Sequence, residues 1–151
     1  MEDRKKILTI ISLGAGVQSS TMAIMAAKGD LPMPQGSIFS DTQNEPRRVY
    51  DYLKYLKSIL PYPVHIVTKG HITNDMISSI DNGTRFPTAP FFTQNDITGK
   101  KGMLRRQCTN DYKIQPIRQK IRELCGVAKG KHFPKDKYCL LYTSPSPRDR
   151  G

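Results

Sequence analysis

Two glycines and three hydroxyls crowd into nine positions near the start of this 151-residue chain, in Ser12-Leu13-Gly14-Ala15-Gly16-Val17-Gln18-Ser19-Ser20. The stretch joins a short apolar run to a helical pattern. A strand–glycine loop–helix unit aims backbone N–H groups outward from the helix start, where the helix dipole favours an anion. Gly14 and Gly16 would let the main chain approach a phosphate closely, and Ser12, Ser19 and Ser20 would add hydroxyl donors. A Walker loop needs Gly-Lys-Ser/Thr, and no lysine is present. A GxGxxG dinucleotide fingerprint is met at Gly14 and Gly16, with Ser19 in place of the third glycine and Asp41 near the distance expected of a ribose-binding acid. An NAD-type dinucleotide-binding domain therefore stands as one alternative.

Other residues fit the same chemistry. Asp41 and Thr42 follow a second apolar run, at the strand end where open α/β sheets meet ligands, and could contact ribose or adenine. Arg105, Arg106 and Lys113 are candidate phosphate partners, arginine as a bidentate fork and lysine as a point charge. Cys108, among basic residues, is either a thiol of lowered pKa or a small half-buried packing residue. Phe86, Phe91 and Phe92 are either an aromatic lid or anchors of their loop. The cysteines at 108, 125 and 139 form no CxxC pair and argue against a disulfide framework.

Charge narrows the partners. Lysine and arginine total 24 against 13 aspartate and glutamate, for a net +11. Residues 1–75 carry +2, and residues 100–137 carry +9 from twelve basic and three acidic side chains. That stretch is either a solvated face or the meeting place of something anionic. A nucleic-acid-binding module built on residues 100–137 is the second alternative. No run approaches the roughly 20 apolar residues of a membrane helix, so no membrane partner is expected. The apolar run after the charged start is too short for a signal-peptide core, which implies a cytosolic protein.

These residues need positioning elements. Residues 5–12 are a short apolar, β-branched run that reads as a buried strand, and residues 36–40 and 64–68 are a second and a third strand. Residues 19–28 show a helical pattern, with Met22, Met25 and Ala26 on one face and Gly29 as the stop. Glu45-Pro46 opens a helix whose stripe is Val49, Leu53, Leu56 and Leu60, ended by Pro61. A short helix spans residues 72–80. Residues 82–101 form a Gly/Pro/Thr/Asn-rich loop, and Ile114, Ile117, Ile121 and Leu124 mark a last helix before Gly126. Alternating strands and helices predict an α/β fold with a Rossmann-like parallel sheet and flanking helices.

Four stretches in order carry a resemblance. They are residues 12–19; Phe39-Ser40-Asp41-Thr42 with Glu45-Pro46; Pro87-Thr88-Ala89-Pro90-Phe91-Phe92; and Arg105-Arg106-Gln107-Cys108-Thr109 with Tyr112-Lys113-Ile114-Gln115-Pro116-Ile117. The first resembles the PP-loop of the adenine nucleotide alpha hydrolase superfamily. The set resembles the phosphoadenosine phosphosulfate reductase-like proteins often found in phages. The resemblance implies an adenine-nucleotide-binding enzyme that cleaves ATP between the α- and β-phosphates to adenylylate an acceptor, or that acts on a sulfonucleotide. It assigns Ser12, Gly14, Ala15, Gly16, Gln18, Ser19 and Ser20 to the phosphates, Asp41 and Thr42 to the nucleoside, and Arg105, Arg106 and Lys113 to charge stabilisation.

The chain departs from that family at two loop positions, Ala15 for glycine and Gln18 for aspartate. The Glu-Cys-Gly-Leu-His motif of assimilatory reductases and the cysteines of iron–sulfur members are missing, so sulfonucleotide reduction and an iron–sulfur cluster are not expected. A magnesium ion on the phosphates is expected, with no carboxylate cluster marking protein ligands.

After Gly126 no periodicity is visible. Residues 127–138 read as a basic irregular segment, following a nucleotide-binding domain over residues 1–126. Residues 139–151 resemble read-through translation of a sequencing adapter. They are expected to be a non-native tail on a domain truncated near Tyr138.

Overall fold

The computed structural model describes residues 5–83, 92–94, 96–103 and 108–143. Its framework is one parallel sheet of four strands: β1 (Lys5–Ser12), β2 (Gly36–Asp41), β3 (Val64–Thr68) and, at the end of the chain, a strand over Lys137–Tyr142. The spatial order places β3, β2 and β1 in succession and the last strand on the free side of β1. Parallel neighbours cannot be joined by tight turns, so helical crossovers cover both faces. Those helices are α1 (Val17–Lys28), α2 (Arg47–Ile59), α3 (Ile72–Asn82) and α4 (Gln115–Leu124). A two-stranded antiparallel hairpin, β4 (Phe92–Gln94) with β5 (Lys101–Met103), lies within the long loop, and the last strand is thus β6. Among the described residues no helix is long and apolar enough to cross a membrane.

Register sorts the side chains by face. Ile11, Leu13 and Phe39 pack with Ala23, Ala26, Leu53, Leu56, Leu60 and Tyr62 into one core beneath α1 and α2. Ile10 and Ile38, of opposite parity, are also fully buried, on the other face. Ile38 is in register with His65, and Lys120 and Glu123 of α4 act electrostatically on that imidazole. This places α4 over the second face. Burial, then Lys120, hold the His65 pKa below its ordinary value.

Three strands, the helix at residues 72–80 and both ends of α2 fall where the pattern predicts. Gly29 stops α1 in the left-handed conformation, its N–H bonded to the Ala26 carbonyl and that of Asp30 to Met25. Gly126 does the same for α4, with its own N–H on Glu123 and that of Val127 on Arg122.

Besides the β4–β5 hairpin in the expected loop, the structure differs in three further places. α1 turns Ser19, Ser20, Ala23 and Ala26 to the sheet and leaves Met25 exposed, because small side chains let helix and sheet approach closely. A π-helical segment, Thr109–Ile114, precedes α4. And residues 137–142, where no element was expected, pair with β1 from Lys5–Lys137 to Ile11–Tyr142. Tyr142 packs against the α1/α2 core. Tyr138-Cys139-Leu140-Leu141-Tyr142 is a short apolar run of strand type, but its partner lies 131 to 132 residues earlier in that register, so the pairing itself is not local.

Tyr62 ties two layers together, its hydroxyl donating to the Ala23 carbonyl at 2.8 Å. Burial pushes its pKa up to about 12. The folded state therefore resists ionisation that the unfolded chain undergoes near pH 10, so this stabilisation is intact below pH 10 and fades as pH rises toward 12. Tyr62→Phe should cost about 1 kcal/mol at pH 7 and flatten the loss of stability between pH 10 and 12, measured by urea unfolding across pH.

A glycine cleft at the switch point of the sheet

From β1 the chain moves to one side of the sheet through β2 and β3, then returns to place β6 on the other. The covering elements diverge there. In open α/β sheets such a switch point opens a crevice beyond the carboxyl ends of the strands. A cleft of about 610 Å3 lies at this point, lined by Ser12, Gly14, Gly16, Val17, Gln18, Ser19 and, just past β6, Thr143. That volume is in the range of small-molecule sites, about 300–1,000 Å3.

The loop is closed by its own groups. Leu13 N–H donates to the Ile38 carbonyl at 2.9 Å, anchoring the loop to β2. The Gly14 N–H donates to Ser19 Oγ at 3.1 Å, and that hydroxyl faces the Gly16 carbonyl at 3.3 Å. Ser19 thus braces the turn from a buried position while still lining the cleft. Gly16 is the N-cap of α1 and, lacking a side chain, makes no cap bond of its own. Its first-turn amides are the donors an α-helix leaves without an internal partner.

The three small residues of the turn are not equivalent. Ala15 has φ +53°, the left-handed region that disfavours a Cβ. Gly14 and Gly16 are not among the residues of positive φ. A Cβ on Gly14 would meet nothing closer than Ser19 Oγ at 3.7 Å, and one on Gly16 would meet nothing within 4 Å. The packing and conformation of the protein would accept a side chain at either position, yet a side chain there would stand in the cleft.

The remaining candidates are placed as follows. Ser12, Gly14, Gly16, Gln18 and Ser19 come together at the cleft, and Ala15 and Ser20 are not in its lining. Ser20 is buried, and its hydroxyl has no hydrogen-bond partner among the described residues. Asp41 and Thr42 lie at the carboxyl end of β2, already engaged. Asp41 Oδ1 accepts from the Gln43 N–H at 2.7 Å and from the Tyr50 hydroxyl at 2.8 Å, and Thr42 Oγ1 donates to Glu45 Oε1 at 3.2 Å. Lys113 Nζ is 3.5 Å from the same Glu45 oxygen, so it belongs to this cluster and not to the lining of the cleft. Arg105 and Arg106 lie outside the described residues, as do Phe86 and Phe91. Among the described residues no lysine or arginine lines the cleft.

Several participants had no sequence signal. Ser40 Oγ donates to the Tyr112 carbonyl at 2.6 Å, the Tyr112 hydroxyl donates to Asp75, and Lys69 lies 4.9 Å from the Tyr112 ring centre. Burial, then the Asp75 contact, raise the Tyr112 pKa well above that of an ordinary tyrosine. These bonds seat the π-helical segment, and with it Lys113, over the ends of β2 and β3. Cys125, at the end of α4, is within hydrogen-bonding reach of Cys139 of β6, a contact that spacing alone did not suggest. Burial, then Cys125, push the Cys139 thiol up to about 11. No group of three or more metal-ligating side chains exists among the described residues.

Ala15→Gly should relieve the left-handed strain and stabilise the protein by about 1 kcal/mol, whereas Ala15→Val should destabilise it. Midpoints of chemical denaturation for the two variants check this, and a loss of stability in the glycine variant would contradict the strain.

A comparison with family models finds none that matches the chain, and comparisons with curated proteins and solved structures find no match either.

Proposed function

We propose that the chain is an adenine-nucleotide-binding α/β protein of the PP-loop type, taking ATP or a sulfonucleotide with its phosphates in the glycine cleft and acting as an enzyme of α–β phosphate cleavage. The observation that carries this reading is the pair Gly14 and Gly16. Neither glycine is required by backbone conformation or internal packing, and both border the cleft. A ligand that needs bare backbone close to it accounts for both, and a polyphosphate on a helix N-terminus is the ligand such a turn suits.

The chain's own contribution is positional. The uncapped first turn of α1 supplies oriented N–H donors, Ser12 a hydroxyl, and Ser19 the brace that keeps the turn open. Preorganised donors of this kind stabilise charge on phosphoryl oxygens without reorganising during reaction. Asp41, Thr42, Glu45 and Lys113 form a second polar group at the end of β2, suited to the ribose and base of a nucleotide laid along the strand ends. The described residues do not fit a protein-held magnesium site, so no step is assigned to that ion.

The decisive variant is Gly16→Asp. Aspartate is a better N-cap than glycine by a few tenths of a kcal/mol, so the melting temperature of the free protein should hold or rise slightly. Its carboxylate would occupy the cleft and repel phosphate, so affinity for ATP should fall at least about tenfold. Calorimetric titration of both proteins with ATP, phosphoadenosine phosphosulfate and NAD measures this, with pyrophosphate release as the activity readout. Unchanged ATP affinity in the variant would sink the site, and a response to NAD alone would move the reading to dinucleotide binding.

A further inference from the structure

We infer that the outer side of α4 and the turn after it form a second anion-binding surface, separate from the glycine cleft, that takes the phosphodiester backbone of a nucleic acid without reading its bases.

Charge is the first observation. Between Gln115 and Lys135 stand six lysines and arginines and one acid, Glu123. Lys120 is already paired to that acid at 2.6 Å. Among the described residues Arg118, Arg122, Lys129 and Lys131 have no carboxylate partner.

The fold then gathers these charges. Arg118 and Arg122 are one helical turn apart and share a side of α4. The left-handed Gly126 and Gly130 fold the following segment back, so that Lys129 lines the same cleft of about 540 Å3 as Gln119 and Arg122. The Arg122 guanidinium donates to the Lys131 carbonyl, which fixes the turn against the helix.

Position separates the surface from the glycine cleft. The Lys5 N–H bonds the Asp136 carbonyl, so the segment after α4 arrives at the amino end of β1. The glycine loop leaves the carboxyl end of the same strand.

The chemistry favours nucleic acid over other polyanions. Val127 and Ala128 are the apolar residues of the cleft and Glu123 its acid, and among the described residues no aromatic side chain lines it. A membrane-surface helix needs large apolar residues beside its cations, and a protein interface needs an apolar or aromatic centre. Phosphate backbone needs only cations at suitable spacing, and its affinity is dominated by counterion release.

The test uses the full chain and a fluorescein-labelled duplex DNA, read by anisotropy over a salt series. Binding should weaken linearly in log K against log salt. Arg118→Gln with Lys129→Gln removes two exposed charges without touching the core. It should reduce the slope by about 2, near 0.9 per lost contact, and weaken binding at least about tenfold at low salt. Lys28→Gln with Lys54→Gln removes equal charge from α1 and α2 and should leave the slope unchanged. Gly16→Asp should also leave duplex binding unchanged, whatever it does to ATP. Equal losses in both double variants would reduce the effect to net charge and overturn the inference. So would loss of duplex binding in Gly16→Asp, absence of duplex binding at low salt, or tighter binding to phosphatidylserine vesicles or polyglutamate than to duplex.

Discussion

The structure depends on β1 having a parallel neighbour on each side. Its side chains are buried on both faces, Ile11 toward α1 and α2 and Ile10 toward the face that carries α4. Parallel pairing forces the chain to leave β1 at its carboxyl end and travel the length of a crossover before returning. Because β2 lies on one side and β6 on the other, the crossovers diverge just where the glycine turn emerges. The cleft is therefore a consequence of strand order. The turn only determines what its floor is made of.

The same constraint explains the unusual face of α1. A helix that begins immediately after a buried strand, over a core of isoleucine and phenylalanine, must come close to the sheet. It does so with Ser19, Ser20, Ala23 and Ala26, and its methionines are displaced toward the sides. Ser19 serves both levels, packing against the sheet as a small residue and closing the turn through its hydroxyl. The strain at Ala15 sits in a turn held at both ends, by Leu13 on β2 and by Ser19 on Gly14.

At the carboxyl ends of β2 and β3 a chain of polar contacts does what apolar packing does elsewhere. Ser40, Tyr112, Asp75 and Lys69 fasten the π-helical segment, and Glu45 links Thr42 with Lys113. Hydrogen bonds of this kind hold a segment in one geometry because breaking one strands a buried group. The result is that a cation from residue 113 stands beside carboxylate and hydroxyl groups from residues 41 to 45, though nothing in the local sequence of either stretch requires it.

By itself the sequence determined the elements of the first eighty residues. The first three strands show as short apolar runs, although β3 lies partly exposed at the sheet edge, and α2 shows its stripe at Leu53 and Leu56, because hydrophobic periodicity is a local property of the chain. The glycine turn was legible for the same reason, with Gly14, Gly16 and Ser19 within six positions. Tertiary structure alone decided the rest. The apolar run from Tyr138 to Tyr142 suits a strand, but its place beside β1 is fixed by partners 131 to 132 residues earlier. Ser19 and Ser20 were equivalent hydroxyls in the sequence, but their directions on α1 send one to the cleft and bury the other. Lys113 was a free cation until Glu45 was brought to it, and Cys125 met Cys139 only through the packing of α4 over β1 and β6. Each of these depends on non-local pairing, which is set by the balance of burial and register across the whole sheet and is written in no single stretch of residues.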